Sequence, residues 1–188
     1  EGLTLTAQSL NNLGAKRLMI GGLPQVEYGR NGNVIMFPFG SNTPGAGVTL
    51  RSGATLSAPE VIMVSGRGDI VVEQGASINT LGRGAAIYDA RDGFVYKGVP
   101  SMLAVSNGLL NVMPYVNLNG EPTGGIRIGA CPGGNCSGQT TIYSEGSIIA
   151  ATDKDLQLDD QVRYGTRHLA LALSNINVGR AADVDVAQ

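Results

Sequence analysis

Apolar and polar residues alternate along this chain in short runs separated by glycine, asparagine and aspartate. Arg17 to Ile20, Val34 to Phe37, Val48 to Leu50, Glu60 to Val64, Ile70 to Glu73, Phe94 to Tyr96 and Met102 to Val105 are such runs. Each has the length and the period of a strand, and turn residues flank most of them. Apolar residues at i, i+3, i+4 and i+7 never persist for a dozen residues. The best window, Leu156 to Val162, is interrupted by Asp159 and Asp160, so little or no helix is expected. Alternating runs also stand at the two ends, Leu3 to Ala7 and Ala182 to Gln188. With no polar cap-like segment outside them, they read as strands of a piece cut from something longer.

Four stretches align without gaps: VTLRSGATLSA from Val48, IVVEQGASINT from Ile70, LAVSNGLLNVM from Leu103 and TIYSEGSIIAA from Thr141. Each reads as strand, tight glycine turn, strand. Their shared glycines are Gly53, Gly75, Gly108 and Gly146, spaced by 22, 33 and 38 residues. The first spacing suits one coil of a parallel β-helix, and the longer ones suit coils carrying inserted loops. If the four glycines are equivalent corners, some or all should adopt backbone angles open chiefly to glycine. Leu81 to Gly93 and Tyr115 to Gly138 are polar, glycine-rich and poorly periodic, and are expected to be those loops. The expected fold is therefore all-β: one β-helix segment spanning residues 1–188. A β-sandwich has a similar rhythm, but its strands usually carry more aromatic residues than the 6 Tyr, 3 Phe and no Trp found here.

Composition fits thin, repeated layers. The chain is 43% hydrophobic with 28 Gly, and without a three-residue period that much glycine points to frequent turns rather than collagen. The 13 Lys and Arg are spread singly and the net charge is −2, so no basic stripe exists to neutralise phosphates, and nucleic acid is not an expected partner. No apolar run approaches the length of a membrane span.

The C-terminal part carries a resemblance. TIYSEGSI, followed by LQLDDQVRYGTRHLALALSNINVG, is similar to a region of filamentous-haemagglutinin-like exoproteins, the large secreted adhesins of Gram-negative bacteria. The matching residues are Tyr143 to Gly146, Tyr164, Gly165, Arg167, Leu169, Leu171, Ile176, Asn177 and Gly179. The resemblance covers about 40 residues strongly (141–179), and the remainder only by repeat style. It implies a right-handed β-helix, two-partner secretion through an outer-membrane barrel, and a cell-surface or secreted location with a role in adhesion or cell contact. It names no ligand-binding residue.

Candidate chemistry is sparse. Cys131 and Cys136 bracket CPGGNC, and in an exported protein the default is a local disulfide pinning a loop. Zinc would need two more ligands, and the single histidine, His168, is not at ligand spacing. The interval is not Cys-x-x-Cys, which argues against a redox pair. Asn135, Cys136 and Ser137 form a sequon, which the resemblance to bacterial exoproteins implies is coincidental. Asp89 and Asp92 beside Arg91 could supply two carboxylates and a cation, but a solvated turn is the simpler reading. Asp153, Asp155, Asp159 and Asp160 could offer oxygen ligands to calcium, at a spacing that matches no EF-hand or nonapeptide repeat. His168 is expected to face outward from a strand, with no nucleophile elbow to serve. Arg67, Gly68 and Asp69 form the tripeptide of integrin-binding adhesins, a candidate receptor contact if it projects from a turn.

These observations favour a non-catalytic, adhesive segment, without cofactor or metal, whose partner is a host or bacterial surface receptor or glycan. A carbohydrate-active β-helix enzyme and a phage or capsule-binding spike are the alternatives. Fold alone does not separate them.

Overall fold

The computed structural model describes residues 2–28, 34–40, 43–87, 89, 94–97, 101–113, 123–159, 161–173, 175–178 and 183–186. It is almost entirely β. The one helix among the described residues, α1 (Ala7–Asn11), is N-capped by Thr6, whose hydroxyl accepts from Ser9 N. This corrects the expectation of a strand over Leu3 to Ala7. Those residues alternate like a strand, but Thr6 satisfies a free N–H of the next turn, and Ala7 and Leu10 then face the core together.

After α1 come β1 (Leu18–Ile20) and an antiparallel hairpin of β2 (Gly22–Tyr28) and β3 (Val34–Gly40). From there the chain visits three sheets in a fixed order. The first pass is β4 (Val48–Leu50), β5 (Thr55–Leu56) and β6 (Glu60–Ser65). The second is β7 (Ile70–Glu73), β8 (Ser77–Asn79) and, after an excursion through β9 (Phe94–Lys97), β10 (Ser101–Ser106) and β11 (Asn111–Met113). The third is β12 (Ile126–Ala130), β13 (Thr140–Tyr143) and β14 (Ser147–Thr152). The fourth is β15 (Asp155–Leu158), β16 (Val162–Thr166) and β17 (His168–Ala172), followed by β18 (Asn175–Val178) and β19 (Asp183–Val186).

Each sheet stacks the corresponding strands of successive passes. The first has the order β18-β15-β12-β7-β4, the second β19-β16-β13-β8-β5 and the third β1-β6-β10-β14-β17. The first two sheets are parallel throughout, and their registers place like on like. Val48, Ile70, Ile126, Leu156 and Ile176 form one ladder. Leu56, Ile78, Ile142, Tyr164 and Val184 form another. The inner faces of the three sheets meet in a single core of Leu, Ile, Val, Ala and Met with Tyr164 as its aromatic member. Burying each large aliphatic side chain is worth about 1.5–3 kcal/mol, available only when the neighbouring pass covers it.

The third sheet departs from this pattern in two ways. β10 runs antiparallel to both β6 and β14. The chain leaves the second sheet after β8, passes through β9 and re-enters the third sheet from the opposite end. Both faces of this sheet are also covered: β6, β10 and β14 are buried along their whole lengths. Ile62, Val64, Met102, Ala104, Leu110 and Ile149 form a second apolar cluster on its outer face. A fourth sheet, β11-β9-β3-β2, provides the extra layer, with β2 and β3 approaching β6.

Two sequence expectations change here. β12 lies inside 115–138, which was expected to be loop, because Ile126 and Ile128 alternate into the core on top of Ile70 and Val72. Residues 115–122 of that span lie outside the described residues, as do Arg91 and Asp92 of the span 81–93. The four aligned stretches are also not four equivalent corners. β4–β5 and β7–β8 turn from the first sheet to the second, β13–β14 from the second to the third, and β10–β11 from the third to the outer one.

Candidate functional site

Polar side chains concentrate at the corners, where each turn lies against the turn of the next pass. At the corner leading from the third sheet to the first, Ser65, Ser101 and Thr152 are register neighbours. Ser65 Oγ donates to Gly68 O at 2.6 Å and accepts from Gly68 N at 3.0 Å. Ser101 Oγ and Thr152 Oγ1 both donate to Gly124 O, at 2.6 and 2.9 Å. These buried hydroxyls satisfy turn carbonyls that no strand reaches.

Arg67, Gly68 and Asp69 occupy this same corner. Arg67 is half-buried, Gly68 is buried between the backbones of Ala46 and Gly124, and Asp69 is exposed. Asp69 O accepts from Val48 N at 3.0 Å, and its carboxylate accepts from Gly125 N at 2.9 Å. The tripeptide therefore belongs to a stacked turn with neighbours on both sides and is not the tip of a projecting loop.

At the next corner Gly53 and Gly75 stack, with Gly53 N donating to Gly75 O at 3.2 Å. Both are left-handed, at φ +81° and +86°. Space distinguishes them: a Cβ on Gly75 would lie 2.7 Å from Ser137 O and 2.9 Å from Ser52 Oγ, whereas one on Gly53 would meet nothing within 4 Å. The following pass carries the Cys131–Cys136 disulfide here. It closes a turn whose Gly133 and Gly134 have φ +91° and +75° and whose four intervening residues are exposed.

The third corner, from the second sheet to the third, holds the densest network. Asn107 bonds Thr80, Gly84 and Glu145 through its side chain. Ser144 and Thr166 share a hydroxyl contact of 2.7 Å. Gly108 and Gly146 lie against one another here, without the positive φ of Gly53 and Gly75. Close by, the carboxylate of Glu60, only 1% exposed, takes Arg17 Nε at 3.1 Å and Ser106 Oγ at 2.9 Å. The sequence reading missed Asn107 and Glu60. An Asn-Gly pair signals a turn, but nothing local says that the asparagine side chain reaches three other segments.

The remaining candidates are dispersed. Asp89 accepts from Leu109 N at 3.1 Å. Asp153 accepts from Thr123 Oγ1, and Asp155 is exposed at the start of β15. Asp159 follows the other end of β15, about 13 Å from Asp155 for an extended chain, and pairs with Arg127 Nε at 3.1 Å. Asp160 lies outside the described residues. The extended strand thus separates the aspartates, and among the described residues no cluster of three or more His, Cys, Asp or Glu could hold a metal. His168 opens β17, where its N–H donates to Gly146 O at 2.9 Å. The Tyr164 phenol is buried in the core, and desolvation drives its pKa far above the ordinary tyrosine value.

Of the residues carrying the family resemblance, Tyr143 and Gly165 are register partners on β13 and β16. The Tyr143 ring occupies the space beside Gly165, with Cδ1 2.5 Å from where a Cβ would sit. Leu169 packs against the core, and Gly179 lies outside the described residues. No protein-family model, curated protein or solved structure matches this chain. No helix among the described residues is long and apolar enough to cross a membrane.

Proposed function

We propose that this chain is a section of a right-handed parallel β-helix from a secreted bacterial surface exoprotein, and that it works by presenting a surface for attachment rather than by catalysis. One observation carries the reading: the carboxylates at the corners bind the neighbouring pass. Glu73 accepts from Ser52 N at 3.1 Å, Asp69 from Gly125 N at 2.9 Å and Glu145 from Gly82 N at 3.2 Å, while Asp159 pairs with Arg127. Groups that could otherwise serve as acids and bases are spent on stacking one turn upon the next. A rod of stacked turns with side chains committed in this way is suited to holding a binding surface away from a cell. The Cys131–Cys136 disulfide supports an oxidising, extracytoplasmic compartment. The resemblance over residues 141–179 supports export through an outer-membrane barrel.

Beads coated with the folded chain should adhere to epithelial or bacterial cells, and beads coated with heat-unfolded chain should not. Equal adhesion by both preparations, or by neither, overturns the attachment reading. Release of reducing sugar from a polysaccharide panel, lost in Asp89→Ala, would replace it with the enzymatic one.

A further inference from the structure

Asn107 is followed by Gly108. Asparagine before glycine is a pair at which a chain readily modifies itself, because a residue without a side chain leaves its amide nitrogen open to the preceding side-chain carbon. Gly108 N would attack Asn107 Cγ and close a succinimide ring, while Nδ2 leaves as ammonia with the proton that Gly108 N gives up. Water then opens the ring at either carbonyl. One opening leaves Asp at 107. The other leaves isoaspartate, whose main chain runs through the side-chain carbons and is one methylene longer.

In the folded chain both reacting groups are held. Nδ2, the leaving nitrogen, donates to Thr80 O and Gly84 O, and Oδ1 accepts from Thr80 Oγ1 and Glu145 N. Gly108 N, the attacking nitrogen, donates to the buried Ser106 Oγ at 3.0 Å. The turn is itself stacked between two others. Asn107 N donates to Pro59 O at 2.9 Å on one side, and Gly146 N donates to Ser106 O at 3.1 Å on the other. Cyclisation pulls the side chain away from its partners and strips Gly108 N of its proton, so the corner must open first.

We propose that Asn107 is a site of spontaneous deamidation gated by this corner, and that the modified turn does not restack. Asp at 107 has no N–H to return to Thr80 O and Gly84 O, and sets a carboxylate against two carbonyl oxygens. Isoaspartate fits still less. A Cβ on Gly146 would already lie 2.4 Å from Gly108 O and 2.6 Å from Asn107 C, so the stacked turns leave no room for an added main-chain methylene. Water is the only co-reactant, so each opening of the corner carries a chance of becoming permanent, whatever the outer surface binds.

The experiment follows deamidation by peptide mass spectrometry in the full chain, incubated at mildly alkaline pH either folded or in denaturant. Two other Asn-Gly pairs, Asn31 with Gly32 and Asn119 with Gly120, lie outside the described residues and serve as references in the unfolded chain. In denaturant all three asparagines should convert at comparable rates. In the folded protein Asn107 should convert at least about a hundredfold more slowly than it does in denaturant, because its rate follows the open fraction of the corner. Thr80→Val keeps the shape of a buried side chain and removes one bond to Asn107, so it should speed folded-state conversion of Asn107 about fivefold. Circular dichroism checks that this variant is folded. Chains partly deamidated in denaturant are then returned to native conditions and separated by size exclusion. Isoaspartate at 107, located by isoaspartyl methyltransferase labelling, should be depleted from the compact fraction relative to unmodified Asn107. Three outcomes overturn the proposal: equal Asn107 rates in the folded and unfolded chains, a folded Thr80→Val protein that converts no faster than the unmodified one, or isoaspartate at 107 recovered in the compact fraction without depletion.

Discussion

Asn107 and Thr80 grip each other from either side of the corner between the second and third sheets. Thr80 Oγ1 donates to Asn107 Oδ1 at 2.6 Å, and Asn107 Nδ2 returns a bond to Thr80 O at 2.7 Å. The same amide donates to Gly84 O at 2.8 Å and accepts from Glu145 N at 3.1 Å. One side chain thus ties the end of β8, the loop beyond it and the turn before β14 to the turn after β10. That turn is where the antiparallel strand must be held in place between two parallel neighbours.

Replacing Asn107 with Ala removes all four bonds and leaves partly buried backbone groups without partners. At about 0.5–1.5 kcal/mol per bond, with imperfect additivity, the loss of stability should be about 2–4 kcal/mol. Asn107→Asp keeps the acceptor and loses both donors, so it should fall between the wild type and Ala. Chemical denaturation of the three proteins gives the order.

Gly53 and Gly75 separate backbone strain from crowding, because both have positive φ and only one is enclosed. Gly53→Ala should cost about 1 kcal/mol from the left-handed conformation alone. Gly75→Ala should cost at least about 1 kcal/mol more, since the new methyl must displace the Ser137 carbonyl. Equal unfolding midpoints for the two variants would show that the turn relaxes freely and that the stacking contact is weak.

The Glu60–Arg17 pair joins β6 to the segment before β1 with both side chains largely out of water, at 1% and 13% exposure. Glu60→Ala leaves Arg17 facing a buried site without its carboxylate and strips Ser106 Oγ of its acceptor, so a loss of about 3–5 kcal/mol is expected. Removing both charges with Glu60→Met and Arg17→Met should cost distinctly less than Glu60→Ala. A double-mutant cycle by thermal or denaturant unfolding measures the difference.

Burial of Tyr164 ties stability to high pH. The folded protein holds this phenol protonated well above the ordinary range, while the unfolded chain releases the proton near pH 10. Its contribution is complete below pH 10 and is lost progressively above it, at about 1.4 kcal/mol per pH unit. Tyr164→Phe should flatten the alkaline limb of a stability–pH profile. In the unmodified protein, tyrosinate absorbance from this residue should appear only together with unfolding.

The sequence determined the strands and the loop staple; the tertiary structure decided what those strands are next to. Val48 to Leu50 and Ile70 to Glu73 were legible to the residue, because a period of two with flanking turn residues is a local signal. The Cys131–Cys136 bond was legible for the same reason, its partners being five residues apart. Strand-turn-strand units look alike whichever pair of sheets they join, so the aligned stretches could not reveal that the first two stack at one corner while the turns of the last two meet at another. The reversal of β10 and the second layer over β6 depend on where the chain goes between residues 80 and 100, a matter of long-range packing with little local trace. Leu3 to Ala7 shows the converse. Its alternation fits a strand, but the structure gives it no sheet partner and starts a helix at its end, because pairing requires a free edge in reach and the nearest is already occupied by Asn11.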